Sequence, residues 1–238
     1  MNSVVYYNSM STFYVIATPI GNLEDISLRA LRIMKEVDII LCEDTRMTKR
    51  IMNKYDIHTP TISYHTHSGE NKVDFILDEI IKGKNIALVS DAGTPGISDP
   101  GSLLISKIRE KFINEISSGE LHIESIPGPS ALIAALSIAG VPSHEFIFLG
   151  FMPHKKGRET IFKEIEVSER TIIFYESTHR IMKTLESLKK INKKVTIVRE
   201  ITKIHEEVLQ GTADDIINIL SINSEKQRGE FVVIVSLL

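Results

Sequence analysis

Cysteine is almost missing from this chain, and several other signals are missing with it. The 238 residues include a single cysteine, Cys42. One thiol excludes an internal disulfide and a Cys-rich zinc site, and it fits a reducing cytoplasm. No stretch approaches the roughly 18 apolar residues of a membrane span. The first residues, MNSVVYYNSMSTF, lack the basic start and long apolar run of a secretion signal. Met10 stands just before the first convincing strand, so it is expected to be the natural start, or residues 1–10 a loose extension. Positive charge is not in excess either. Lys and Arg number 28 against 31 Asp and Glu, a net charge of −3. Any nucleic-acid contact must then come from local basic patches, not from a global field. Neither G-x-x-x-x-G-K-[ST] nor G-x-G-x-x-G occurs, which disfavours an ordinary nucleotide triphosphate or NAD site.

What is present is ordinary globular material: 42% apolar and 25% charged residues. Residues 13–18 (FYVIAT), 37–42 (VDIILC), 61–64, 85–90 and 121–126 read as short strands. Helical patterns fill the gaps. In residues 70–82 the apolar positions Val73, Ile76, Leu77, Ile80 and Ile81 follow the i, i+3, i+4 spacing of one helix face. Residues 45–55 read as a basic helix, 100–114 as one helix opened by Pro100, and 131–139 as an Ala-rich helix ended by Gly140. Alternating strands and helices imply a mostly parallel α/β sheet. The pattern restarts at 145–149 (EFIFL), 171–175 (TIIFY) and 195–199, followed by extended segments at 206–209 and 230–237. A domain boundary is therefore expected near residues 141–144, giving domains 1–142 and 143–238.

Three strands end in Gly/Pro-rich loops: TPIGN (18–22), SDAGTPGISDPG (90–101) and IPGPSA (126–131). Open parallel sheets bind ligands beyond the carboxyl ends of their strands. Glycine lets backbone groups approach a ligand, and proline fixes the path so that little entropy is lost on binding. Together the loops describe a rigid wall for a flat or extended small molecule.

These loops sit within a longer series of motifs. VIATPIGNLEDIS, CEDTR, VSDAGTPGISDPG, IPGPSA, FLGFMP, FYESTHR, REITKIHEEVLQGT and RGEFVVIV follow one another in order. In these motifs the chain resembles the ribosomal RNA small subunit methyltransferase I family, within the tetrapyrrole methylase superfamily. The resemblance covers residues 13–236. It departs in the first ten residues and at HTHSGEN (65–71).

The resemblance implies two α/β domains of the tetrapyrrole methylase fold, with S-adenosylmethionine held in the cleft between them. It implies methyl transfer to the ribose 2′-OH of a decoding-region cytidine in 16S rRNA of the small ribosomal subunit, by a homodimer that needs no metal. It places the cofactor against Pro19, Gly21, Asp91, Gly93, Thr94, Ile97, Ser130 and Ala131. Phe151 would supply an adenine pocket, with Arg199, Phe231 and Val232 as further candidates. Asp91 is the expected polar anchor, whereas Asp99 is expected to cap the helix that starts at Pro100.

A ribose hydroxyl is a weak acid, so a general base helps. Glu43 and Asp44 of CEDTR and Glu176 of YES lead the candidates, with Glu200, His205 and Glu206 behind them. Each has a structural alternative: Asp44 as a helix cap, Glu176 as an ion pair with Arg180. His58, His65 and His67 lack surrounding carboxylates at metal spacing, and His65 and His67 read as polar rim residues. RNA contact is expected from Arg46, Lys49 and Arg50, with Lys54 on the same helix face, and from Lys155, Lys156 and Arg158 in HKKGR. Phosphate contacts of this kind carry affinity without sequence information. Two rival functions remain: methylation of a tetrapyrrole or other small molecule on the same fold, and a non-catalytic RNA- or subunit-binding role.

Overall fold

The computed structural model describes residues 11–65, 68–99 and 101–237. Pro100, His67 and the extension at residues 1–10, all featured in the sequence reading, lie outside the described residues. The chain divides into two compact units, residues 1–129 and 130–238.

The first unit is a five-stranded sheet. Its strands are β1 (Ser11–Ile16), β2 (Ile39–Cys42), β3 (Thr61–Ser63), β4 (Ile86–Val89) and β5 (Leu121–Ile126), in the order β3-β2-β4-β1-β5. Every pairing is parallel, as the strand–helix alternation predicts. The helices are α1 (Leu28–Glu36), α2 (Thr45–Lys54), α3 (Glu70–Ile81), α4 (Gly101–Lys111) and α5 (Ile113–Ser118). Successive strand residues face opposite sides. Ile40, Cys42, Ala87 and Val89 therefore pack with Ala30, Ile33, Ile51 and Met52 of α1 and α2. Their neighbours Ile39, Leu41, Ile86 and Leu88 pack with Val73, Ile76, Leu104 and Ile108 of α3 and α4. The single helix expected over 100–114 is two helices. Buried Phe112 leaves helical geometry at φ −114°, ψ 36°, and α5 begins after it.

The second unit opens with α6 (Ala131–Ala139), followed by β6 (Phe146–Phe151), α7 (Arg158–Val167), β7 (Thr171–Ser177), α8 (Ile181–Leu188), β8 (Lys194–Arg199), β9 (Glu207–Gly211), α9 (Ala213–Ile222) and β10 (Glu230–Ser236). The strand order is β6-β7-β10-β8-β9. Only β6 and β7 pair in parallel; β10 runs antiparallel to β7 and β8, and β8 to β9. The two halves are thus less alike than their sequence pattern suggests. Helices α7, α8 and α9 cover one face through Ile165, Leu185 and Ile216. Helix α6 covers the other through Leu132, Ala135, Leu136 and Ala139, against Ile173, Val198, Val232 and Ile234. The division therefore falls before α6, not after it at 142/143. An Ala-rich helix with apolar residues on several sides gives no local sign of which sheet it will cover.

Candidate active site

Strand β1 feeds α1 on one face of the first sheet, and its neighbour β4 feeds α4 on the other. Two adjacent parallel strands whose connections leave in opposite directions open a crevice at their carboxyl ends. The TPIGN and SDAGTPGISDPG loops meet there. Thr18 and Gly93 exchange two backbone hydrogen bonds, each 3.0 Å. The Thr18 hydroxyl donates to Ser90 O at 2.9 Å, and the Ser90 hydroxyl to Gly93 O at 3.0 Å. The IPGPSA loop closes in from β5. A Cβ on Gly128 would lie 3.0 Å from Ala17 Cβ, so a side chain there would force the neighbouring chain to shift. Gly93, at φ +85°, sits between Ile20 and the carbonyl of Pro129; a Cβ there would lie 3.5 and 3.8 Å from them. The three loops read as a wall are one cross-linked structure. Gly21, Ala92 and Ile97 are exposed along it, whereas Pro19 is buried and Thr94 half-buried.

The two aspartates of the second loop do different work. Asp99 Oδ1 accepts from the amides of Gly96 (2.5 Å) and Gly101 (2.8 Å), capping α4 as the sequence predicts. Asp91 Oδ1 accepts from the Asp44 amide at 2.9 Å. Asp91 thereby ties CEDTR to the crevice, a role that sequence reasoning missed because its partner lies 47 positions away.

CEDTR itself separates two base candidates. Asp44 caps α2: its carboxylate accepts from the Arg46 amide at 2.8 Å and pairs with the Arg46 guanidinium at 2.6 Å. The Arg46 side chain holds the pKa of the Asp44 carboxyl at about 2. A carboxylate that acidic is a poor proton acceptor, so Asp44 is corrected from base to cap. Glu43 behaves in the opposite way. Burial pushes its carboxyl up from the ordinary glutamate range, and the charges of Asp91 and Asp99 push it further, against a smaller opposing effect of His65. Glu43 is the carboxylate at this edge tuned toward accepting a proton.

Glu176 is also corrected. Its side chain is fully buried, with Arg180 at 2.9 Å, Arg158 at 3.7 Å and a hydrogen bond from the Thr184 hydroxyl at 2.7 Å. Every approach is filled by its partners, so it holds β7 to α7 and α8 and reaches no substrate. Arg158 is lost from the RNA set for the same reason; it is 8% exposed and donates to Thr184 at 2.7 Å. Lys155 and Lys156 remain exposed, as do Arg46, Lys49 and Arg50 on the outer side of α2.

In the second unit, a register shift between Phe148 and Phe151 turns the end of β6 outward. Phe151 is 56% exposed and packs edge-on against Tyr175, with ring centroids 5.3 Å apart. The Tyr175 hydroxyl accepts from the Leu132 amide at 3.2 Å, in the first turn of α6 beside Ser130 and Ala131. Tyr175 is a contact of Phe151 and α6 that the sequence reading missed. An aromatic residue at the carboxyl end of the strand read over 171–175 was the available signal.

Comparison with known proteins shows the family and the fold. The family profile described as Tetrapyrrole (Corrin/Porphyrin) Methylases matches residues 12–217. A protein of Halalkalibacterium halodurans named ribosomal RNA small subunit methyltransferase I is 44% identical over 94% of this chain and 75% of its own length. Proteins of the same name from Thermotoga maritima and Escherichia coli O157:H7 are 39% and 40% identical, over 99% and 78% of their lengths and 95% and 96% of this chain. The chain belongs to the ribosomal RNA small subunit methyltransferase I family, within the tetrapyrrole methylases. Among solved structures, diphthine synthase superimposes with a TM-score of 0.68 at 14% identity, covering 94% of this chain and 89% of its own. A cobalt precorrin-4 methyltransferase of cobalamin biosynthesis gives 0.63 at 17% identity, covering 99% and 98%. At such identities these two establish the fold alone. Among the described residues, no group of three His, Cys, Asp or Glu is placed to hold a metal, and no helix is long and apolar enough to cross a membrane. Members of this family use S-adenosylmethionine, and the crevice suits that molecule. It offers exposed backbone at Gly21, Ala92 and Ile97, a cradle at Gly93 that a side chain would fill, and carboxylates for the cationic end.

Proposed function

We propose that this protein transfers a methyl group from S-adenosylmethionine to the 2′-OH of a cytidine in 16S rRNA, in the decoding region of the small ribosomal subunit. The observation that carries the RNA reading is 44% identity across 94% of the chain to a protein named for small-subunit rRNA methylation. The fold alone fits a tetrapyrrole methylase equally well, which is why sequence similarity carries the argument.

In the first unit Pro19, Gly21, Asp91, Gly93, Thr94 and Ile97 are the proposed cofactor contacts, with Asp91 for its ammonium or ribose hydroxyls; in the second unit Ser130, Ala131 and Phe151, with Tyr175 packed beside Phe151, are the proposed contacts. When bound, the cofactor supplies an electrophilic methyl group on a sulfonium. Methyl transfer is an in-line displacement, so positioning by prefixed loops supplies much of the rate. The hydrogen-bonded loops are already in place, so little ordering is needed on binding. Glu43 accepts the ribose hydroxyl proton, and its raised carboxyl range suits that step. Arg46, Lys49, Arg50, Lys155 and Lys156 neutralise phosphates of the substrate. We further propose that the protein works in the cytoplasm, as a homodimer, without a metal.

Incubation with labelled S-adenosylmethionine tests this. Unmethylated small subunits, naked 16S rRNA and a tetrapyrrole precursor are offered in parallel, and ribose methylation is mapped. The expected result is label at one decoding-region cytidine of the subunit. Label in the tetrapyrrole and none in RNA would overturn the reading.

A further inference from the structure

The second sheet has its own loop-bearing edge, where Phe151, Lys155, Lys156 and the earlier candidates Arg199, Glu200, His205 and Glu206 lie. Strands β6, β7 and β8 run in one direction, so their carboxyl ends share that edge with the start of β10. One hydrogen-bond chain links the four loops there. Arg180 donates to Met152 O at 2.5 Å, joining the loops after β7 and β6. The Thr178 hydroxyl donates to Gly229 O at 2.7 Å and accepts from the Gly229 amide at 2.8 Å. The Glu230 amide donates to Glu200 at 3.0 Å, and Lys203 bridges Glu200 (2.9 Å) and Glu230 (2.7 Å). Below them, buried Arg199 donates to His205 O at 3.2 Å and Arg228 O at 3.1 Å.

The loop after β8 is the most constrained part. Glu200 and Thr202 take left-handed backbone conformations, at φ +50° and +66°. For a β-branched threonine this is an outlier that the surrounding structure must hold in place. Surrounding contacts hold the loop there. The Thr202 amide donates to Glu206 at 2.5 Å, and a Cβ on Gly229 would lie 2.5 Å from the Glu200 carboxylate. All this fixes a tip whose outermost side chains stand clear of the fold. Ile204, at its summit, is 97% exposed, and His205 beside it is exposed.

The surroundings of this tip bear on what it could meet. Lys155 and Lys156, with His154 and His179, are exposed on the loops after β6 and β7 at the same edge, and Lys203 pairs with Glu200 and Glu230 while Glu206 accepts from the Thr202 amide. Lysines at the same edge as an apolar side chain and an imidazole fit single-stranded RNA: phosphates take the lysine charges and an unstacked base packs on the tip. We infer that the Thr202–Ile204–His205 tip is an RNA-recognition element, on which an unpaired nucleotide of the substrate packs. This rests on the RNA reading above and extends it to a surface of the second unit.

The test measures binding rather than catalysis. Unmethylated small subunits are titrated with the unaltered protein, with an Ile204→Ala/His205→Ala variant, and with Ile222→Ala, which truncates another isoleucine that is 88% exposed. The double variant is expected to bind about tenfold more weakly, with its melting temperature and S-adenosylmethionine affinity unchanged. Ile222→Ala is expected to bind normally. A photoreactive phenylalanine analogue replacing Ile204 is expected to cross-link to rRNA. Unchanged affinity in the double variant, a cross-link to ribosomal protein alone, or no subunit binding by the unaltered protein would each overturn the inference. Tight subunit binding without methyl transfer, with the tip effect intact, would instead overturn the enzymatic reading and leave the tip standing.

Discussion

At the scale of single residues, the carboxylates sort by what surrounds them. Asp44, Asp99 and Glu176 all end their side chains on donors within the fold, and only Glu43 is pressed by like charges at the crevice. Removing one partner of a buried ion pair leaves the others uncompensated, which costs about 3–5 kcal/mol. Glu176→Ala should therefore lower the stability to chemical or thermal unfolding by that amount. A variant of unchanged stability but abolished activity would show that Glu176 serves chemistry after all. The local part of this division was legible in the sequence, which offered Asp44 and Asp99 as helix caps and Arg180 as a partner of Glu176. The distant partners were not, Asp91 for CEDTR and Arg158 for Glu176, because they are brought in by the fold.

At the scale of elements, the Gly/Pro loops were the most readable part of the chain, because left-handed backbone and close approach leave few residue choices. The convergence of three loops at β1, β4 and β5 was predictable in kind, since the strand pattern already implied a parallel sheet. Their cross-linking through Thr18, Ser90 and Gly93 was not, as it depends on strand order. Glycine at position 93 has a consequence that can be measured. Gly93→Ala costs about 1–2 kcal/mol for its left-handed backbone and also places a methyl group in the crevice. Gly119, at φ +82° with nothing within 4 Å of an added Cβ, carries only the backbone cost. Both variants should melt lower by a similar margin, but only Gly93→Ala should lose cofactor affinity, by at least roughly tenfold in calorimetry. Equal affinity in the two variants would remove the crevice as the cofactor site. The break between α4 and α5 escaped detection because Phe112 is a core residue in a run whose local propensity is helical.

At the scale of the molecule, two sheets with different strand directions make two units, and α6 belongs to the second. The sequence pattern put the boundary after that helix because the strand–helix alternation restarts at residue 145, and the helix itself carries no local sign of which sheet it covers. A fragment of residues 130–238 should unfold cooperatively, whereas residues 143–238, stripped of α6, should expose the Ile173, Val198, Val232 and Ile234 face and bind a hydrophobic dye. Cooperative unfolding of the shorter fragment would contradict the assignment. Methyl transfer at the first sheet's carboxyl edge, with Glu43 as the base, is the central claim. The most direct test is the single-turnover rate of methyl transfer to small subunits by Glu43→Gln against pH. In the unaltered protein the rate should rise with pH through a value above the ordinary glutamate range, because only the ionised Glu43 accepts a proton. The variant should lose that limb and about 10²–10⁴-fold in rate, with cofactor affinity retained and stability at neutral pH unchanged or raised, since a carboxylate repelled by Asp91 and Asp99 has been neutralised. A variant that keeps both the rate and the acidic limb would contradict that claim.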